Sequence, residues 1–359
     1  LAKKLAFDRV LFTAVVLLVT LGLVMVYSAS AAQAQGQALN PYLLKQGILA
    51  AIGFGLMLGI MHVDYRRLRE PIVVWGLLLG VIGLLVLVLL GPELNATRRW
   101  LFLGGFSFQP SELAKLALVV YLAYQLEKKA DRVSTNELLV PAALVTGLLA
   151  GLVLLAPDLG TAVLLVATAG TMLFLAGLAW RRIAVAGAVL VPLVALAIAA
   201  APYRRQRLLT FLDPERDPLG SGFQVLQSLI AVGSGGLLGR GPGESLQKLY
   251  FLPYPFTDFI YAIVAEELGF IGALGVLLLF AVLLWRGVRA GLAAPDTFGR
   301  HLAWGLTSVI VLQALINMSV VLGLFPTKGM PLPFLSYGGS SILVTLVFCG
   351  VLLNLSQHA

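Results

Sequence analysis

The stretch Val10–Ala29, VLFTAVVLLVTLGLVMVYSA, contains neither a charge nor a proline, and it decides the fold. An uncharged apolar run of about 20 residues is what an α-helix needs to cross a bilayer core. Similar runs recur along the chain at Leu43–Met61, Ile72–Leu90, Glu112–Leu126, Leu138–Ala156, Leu159–Leu178, Ile183–Ala200, Phe259–Trp285, Leu302–Leu324 and Ile342–Leu355. Together they predict an all-α, polytopic membrane protein with ten transmembrane helices. Composition agrees: of 359 residues 59% are apolar and only 12% charged, about half the charged share of a soluble domain, which is roughly 25%. Disordered, collagen-like and secreted disulfide-rich classes are excluded, since each needs a different compositional excess. The one cysteine, Cys349, rules out an internal disulfide and a cysteine-based metal site.

Lys and Arg in the short loops set the orientation. One face would hold Lys3, Lys4, Arg9, Arg66, Arg67, Arg69, Lys128, Lys129, Arg132, Arg181, Arg182, Arg286, Arg289 and Arg300, which is fourteen; the other holds Lys45, Arg98, Arg99, Lys115 and Lys328, which is five, outside its one long loop, whose six do not count because long loops translocate largely regardless of charge. The richer face is cytoplasmic, and both termini are expected there. Lys3, Lys4 and Arg9, the apolar run and Ser28-Ala29-Ser30-Ala31 also have the layout of a secretory leader. The run is longer than a leader's core, so it is read as a retained first span. Residues 1–359 are expected to form one integral-membrane domain, with a long extracytoplasmic loop, Ala201–Thr257, between spans 7 and 8. Loops of that length are usually functional. The net charge of +8 is explained in part by cytoplasmic loops, and the remainder calls for an anionic partner other than nucleic acid.

His62, His301 and His358 all fall on the predicted cytoplasmic side. Chemistry on the outer face would therefore rely on a carboxylate: Glu93, Glu112, Asp158, Asp213, Glu215, Asp217, Glu244 or Asp258. Asp258 ends the string Pro253-Tyr254-Pro255-Phe256-Thr257-Asp258, directly before span 8. It reads either as a helix cap or as a catalytic acid held by prolines and aromatics. Glu112 and Lys115 follow Gln109-Pro110-Ser111, with Ser111 as the expected N-cap. An i,i+3 pair is ordinary helix support, but a lysine one turn inside a membrane helix is costly and usually functional. Asp158, after Pro157, reads equally as cap or site. Glu266 and Glu267 lie inside span 8 and are read as structural, with a possible relay role, packed against partners such as Gln313 or Asn317.

In the long loop, Tyr203–Leu212 places Arg204, Arg205 and Arg207 among Leu208, Leu209 and Phe211, as an interfacial amphipathic helix does. Phe223–Val232 reads as a second short helix. The glycine-rich run 233–243 lacks the GxxxxGK[ST] pattern of a nucleotide loop and reads as a flexible hinge. Arg240 and Lys248 beside it, with Arg98 and the three arginines above, could line an anionic pocket.

Five strings resemble one family, the shape, elongation, division and sporulation (SEDS) proteins of RodA/FtsW type. They are Phe106–Lys115 (FSFQPSELAK), Ala156–Ala162 (APDLGTA), Ile230–Gly239 (IAVGSGGLLG), Thr257–Gly269 (TDFIYAIVAEELG) and Gly323–Ser341 (GLFPTKGMPLPFLSYGGSS). They follow the family's order over nearly the whole chain. Phe256 departs from it, standing where members usually have His before Thr-Asp. The resemblance implies a peptidoglycan glycosyltransferase that polymerises lipid II, an undecaprenyl-pyrophosphate disaccharide-pentapeptide, at the outer face of the bacterial cytoplasmic membrane. It implies a class B penicillin-binding protein as partner, Asp258 as the essential acid, and Glu112, Lys115 and Asp158 as further functional positions. Lys115 and arginines among Arg98, Arg204, Arg205, Arg207 and Arg240 are the expected holders of the pyrophosphate charge; no cofactor is expected, and a divalent cation sharing that role is left open, with no oxygen-ligand motif in the sequence to mark it. The two rival functions are a lipid II flippase and a scaffold that recruits the cross-linking enzyme without doing chemistry.

Overall fold

A computed structural model describes residues 7–37, 39–91, 98–103, 106–218, 220, 222–249, 251–253 and 255–358. Of the residues singled out above, Lys3, Lys4, Glu93 and Tyr254 lie outside the described residues. Helices follow the apolar runs: α1 (Arg9–Ser30), α2 (Pro41–Ile60), α3 (Pro71–Leu89), α4 (Pro110–Lys128), α5 (Asn136–Leu155), α6 (Leu159–Leu175) and α7 (Trp180–Ala199) precede the long loop. Within that loop lie α8 (Pro202–Leu212) and α9 (Phe223–Ser234), both as expected, and after it α10 (Ile260–Ala293), α11 (Thr297–Val321) and α12 (Gly339–His358). Seven of these, α1, α2, α3, α5, α10, α11 and α12, are long and apolar enough to cross a membrane. The chain is a multi-pass membrane protein.

Local chemistry sets the helix starts. Asp8, Asn40, Asp158 and Asp296 cap α1, α2, α6 and α11 by accepting from backbone N–H groups that the first turn leaves unpaired. Ser111 is not the cap of α4: Gln109 holds that position and Pro110 opens the helix, its missing N–H costing nothing there. Among the described residues one short antiparallel strand pair, β1 (Leu101–Leu103) with β2 (Phe106–Phe108), interrupts the helical reading, in register Leu101↔Phe108. Its signal is the Gly104-Gly105 pair between apolar runs.

Packing makes α4 and α11 the centre. Nearly every α4 residue from Pro110 to Leu126 is buried, so its charges face protein rather than lipid. α12 packs on α2, α1 on α10, and α11 on α4, α6 and α10. The first helix is part of this core: Ser28, Ala29 and Ser30 are buried within α1. α7 is the exception to the packing. None of its described residues is buried, and it touches the bundle through α6 and α8.

Span 8 is also longer than expected, and it is broken. At 34 residues α10 exceeds a bilayer crossing, and Gly269 interrupts it with φ 67° and ψ −166°, a conformation open to glycine alone at little cost. The glycine-rich run is the cause. A Cβ on Gly239 would lie 2.1 Å from the Glu267 carbonyl oxygen, and one on Gly269 would lie 2.3 Å from the Gly239 nitrogen. With no side chains in the way, Phe270 and Ile271 donate their N–H groups to the carbonyls of Gly236 and Leu237, while Arg240 and Gly241 donate to those of Glu266 and Glu267. The expected hinge is thus a strap hydrogen-bonded across the break.

Candidate active site

Asp258 sits one residue before the α10 N-cap, Phe259, and that cap makes no side-chain hydrogen bond. The helix-cap reading of Asp258 therefore fails, whereas for Asp158 it holds: its carboxylate accepts from the Thr161 N–H at 3.0 Å and the Thr161 hydroxyl at 2.8 Å. Among the described residues the Asp258 carboxylate accepts no hydrogen bond. Its backbone is fixed instead. Asn317 Nδ2 donates to the Asp258 carbonyl at 2.8 Å, the Ser336 hydroxyl donates to the Thr257 carbonyl at 2.5 Å, and the Tyr337 N–H donates to the Phe256 carbonyl at 2.8 Å. Burial pushes the Asp258 carboxyl up to about 6; Arg207 and Arg99 oppose that rise and Asp158 adds to it. An acid poised there is ionised at neutral pH yet basic enough to take a proton.

Beside it lies a cavity of about 270 Å³ between α6, α7, α8 and the segment before Met330. Arg99, Arg204, Arg207, Lys328 and Asp158 supply its polar wall, while Val163, Val194, Ile198, Leu208 and Phe325 supply an apolar one. Gly329 also lines it, and a Cβ there would stand 3.4 Å from Asp258 Oδ2. Gly329 thus lies between the two, lining the cavity on one side and neighbouring the carboxylate on the other, while Asp258 itself is not among the lining residues.

The cations are not equivalent. Arg99 donates to the Ala156 carbonyl at 2.9 Å and to the Pro157 carbonyl. Arg204 bonds the Tyr203 hydroxyl at 2.8 Å and the Leu154 carbonyl at 3.2 Å. Arg207 makes one long bond, 3.4 Å, to the Thr327 carbonyl. Lys328 lies 5.0 Å from the Phe325 ring centroid and forms no ion pair with a described residue. Its burial lowers the ammonium pKa, and Asp158 counters that. Arg207 and Lys328 have the most capacity left for an anion. Arg98, Arg205 and Arg240 are exposed and do not line the cavity.

Glu112 and Lys115 form a buried ion pair at 2.7 Å, and Lys115 also donates to Gln313 Oε1 at 2.8 Å. Gln313 in turn donates to the Pro331 carbonyl at 2.9 Å, and Asn317, one turn along α11, donates to that of Met330 at 2.8 Å. Through α11 and residues 330–331 the pair is joined to the Asp258 backbone. Glu266 and Glu267 do not meet Gln313 or Asn317. They turn toward the loop, where Lys248 is a buried partner of Glu267 at 2.9 Å rather than a cation of the pocket. Among the described residues no group of three or more His, Cys, Asp or Glu side chains could hold a metal ion.

A family model described as "Cell cycle protein", covering FtsW, RodA and SpoVE, matches residues 8–359. The probable peptidoglycan glycosyltransferase FtsW of Geobacter sulfurreducens is 44% identical over 98% of this chain and 95% of its own length. Stage V sporulation protein E of Bacillus subtilis is 46% identical over 99% of both. This chain belongs to the FtsW/RodA/SpoVE family. Its fold also matches a chain of a peptidoglycan synthase complex solved for the coordination of polymerization and crosslinking, at TM-score 0.81 and 36% identity over 98% of both chains. The rod shape-determining protein RodA of Thermus thermophilus matches at TM-score 0.72 and 32% identity, over 99% of this chain and 98% of that one.

In this family member Phe256 is buried against Tyr42 and Tyr337, with ring centroids 4.7 and 5.7 Å away. It packs the loop that carries Asp258. Arg99 and Lys328 are cavity residues that sequence reasoning passed over. Lys328 did carry a signal, since it lies inside one of the five family strings; Arg99 carried none that set it apart from Arg98.

Proposed function

We propose that this chain is a peptidoglycan glycosyltransferase that polymerises lipid II by inverting transfer, with Asp258 as general base. The observation that carries the reading is the placement of Asp258: without a hydrogen-bond donor, raised toward neutrality, and next to Gly329, which lines a cavity with a cationic and an apolar wall. The acceptor's 4-hydroxyl gives its proton to the Asp258 carboxylate as its oxygen bonds the donor's anomeric carbon. The anomeric bond to pyrophosphate breaks, and undecaprenyl pyrophosphate leaves. That leaving group is already a good one, so a second carboxylate of the glycosidase kind is not needed. Arg207 and Lys328 stabilise its charge, and the apolar wall contributed by the loosely packed α7 receives the isoprenoid. Asp158, held by Thr161, and the Glu112–Lys115 pair keep the surrounding helices in place.

In the same reading α4, α6 and α7 also cross the bilayer, giving ten spans. Both termini are then cytoplasmic, residues 1–359 form one membrane domain, and Asp258 faces outward. The family's link to a synthase complex supports a class B penicillin-binding protein as partner. The test is full-length protein, alone and with that partner, given lipid II while glycan polymer is resolved on a gel. Polymer that disappears with Lys328→Met and Asp258→Asn supports the reading. Absence of polymer with the partner present, together with lipid II translocation in vesicles, would make the chain a flippase. Absence of both would make it a scaffold.

A further inference from the structure

Between α8, which brings Arg207 to the cavity, and Asp258, which ends the loop, one point of the loop is nailed to two spans by charge. Lys248 Nζ donates to Glu267 Oε1 on α10 at 2.9 Å, to the Ser28 hydroxyl on α1 at 2.9 Å, and to the Gly243 carbonyl at 2.5 Å. Ser28 Oγ itself donates to Glu267 Oε1 at 2.5 Å, and the Gly243 N–H donates to Glu267 Oε2 at 3.0 Å. Next to this, Glu266 accepts from the Ser245 hydroxyl at 2.5 Å and from the backbone N–H groups of Leu246 and Gln247 at 3.0 and 3.4 Å. Lys248 and Glu267 are only 5% and 1% exposed. Burying an ion pair is expensive and is often no more stabilising than apolar packing would be, so a site like this is better explained by the geometry it specifies.

That geometry bears on Asp258. The Glu266–Glu267 pair sits at the C-terminal end of the helical piece that begins at Ile260, immediately before the break at Gly269. Across the break the continuous helical ladder is replaced by hydrogen bonds to the strap, so the strap sets the tilt of this piece together with the Asn317, Ser336 and Tyr337 contacts at its far end. Asp258 lies at its far end, nine residues before Glu267, or about 13 Å along a helix. A few degrees of tilt about the break moves the carboxylate by roughly an ångström, enough to cost a reaction orders of magnitude.

We propose that Lys248 and Glu267, with Ser28, are positioning residues. Their buried ion pair locks the strap across the break in α10 and thereby sets where Asp258 stands against the cavity. The inference rests on the glycosyltransferase reading for its kinetic arm and not for its structural arm.

The test uses the full chain with its transpeptidase partner and three variants, Lys248→Met, Glu267→Gln and the two combined, with lipid II polymerisation measured per folded molecule. Each single variant leaves one buried charge unpaired, and kcat should fall about tenfold or more while KM for lipid II stays within about threefold. The combined variant removes both charges and should recover to within about threefold of the parent, because the two sites are coupled. Hydrogen exchange of the parent should show residues 236–249 as protected as the spans, with protection of 243–249 lost in the single variants and regained in the double. Ser28→Ala keeps the ion pair, should fold if the single variants do not, and should lower kcat about two- to fivefold with a partial loss of protection. Single variants and Ser28→Ala with parental kcat and parental exchange would overturn the proposal, as would a double variant no better than the worse single. Should the parent make no polymer at all, the glycosyltransferase reading fails, and exchange alone decides whether the lock exists.

Discussion

Asn317 holds the Asp258 carbonyl and the Met330 carbonyl with one amide nitrogen, at 2.8 Å each. A single side chain on α11 thus fixes the distance between the segment carrying the acid and the segment carrying Lys328 and Gly329. Substitution of Asn317 by Leu should leave two carbonyls without that donor at a cost of about 1–3 kcal/mol. kcat should drop more than thermal stability alone explains. Parallel measurement of melting temperature and of polymerisation per folded molecule separates the two effects.

Asp258 gives a pH dependence with a defined sign. With its pKa pushed up to about 6, the base form is lost as pH falls through that value, so kcat should show an acid limb centred near pH 6 rather than near 4. Stability runs the other way. A carboxyl whose pKa is raised by folding contributes stability that is fully present below its unfolded value, near 3.8, and lost as pH rises toward 6 and above. Asp258→Asn should therefore raise the melting temperature at pH 7.5, by an equivalent of about 1–3 kcal/mol, and bring little or no gain at pH 4. Thermal unfolding of parent and variant at the two pH values reads this directly.

Glu112 and Lys115 are 3% and 1% exposed, so removing either one strands the other. Glu112→Gln or Lys115→Met alone should cost about 3–5 kcal/mol, and the double substitution much less than the sum. A thermal double-mutant cycle on purified protein checks it; additive losses would mean the two charges are not coupled.

Gly329→Ala is expected to be tolerated by the fold, since the new Cβ would be in ordinary contact, 3.4 Å from Asp258 Oδ2. It would crowd the Asp258 carboxylate on the side of a cavity-lining residue, and polymerisation should fall roughly tenfold or more at an unchanged melting temperature.

The helices were legible because each apolar run is long and nearly free of charge, and several are bounded by caps such as Asp8, Asn40 and Asp296. Asp258 was legible as a border residue, but whether it caps the helix depends on where the helix begins, and that is fixed by the Asn317, Ser336 and Tyr337 contacts from distant parts of the chain. The same limit hid the partners of Glu266 and Glu267. Periodicity along α10 gives the direction of a side chain on its own helix, but it is silent on a strap arriving from residues 236–248. Arg98 and Arg99 are indistinguishable as neighbours in sequence. In the structure Arg98 donates to the Leu89 carbonyl at the end of α3, and Arg99 turns into the cavity.

The most direct measurement is the rate of glycan polymer formation from lipid II by the partner-bound chain and its Asp258→Asn variant, across pH 5 to 8. The parent should gain activity with a midpoint near pH 6, and the folded, more heat-stable variant should make no polymer at any pH. Polymer from the variant at a rate comparable to the parent's would show that Asp258 is not the group that takes the proton.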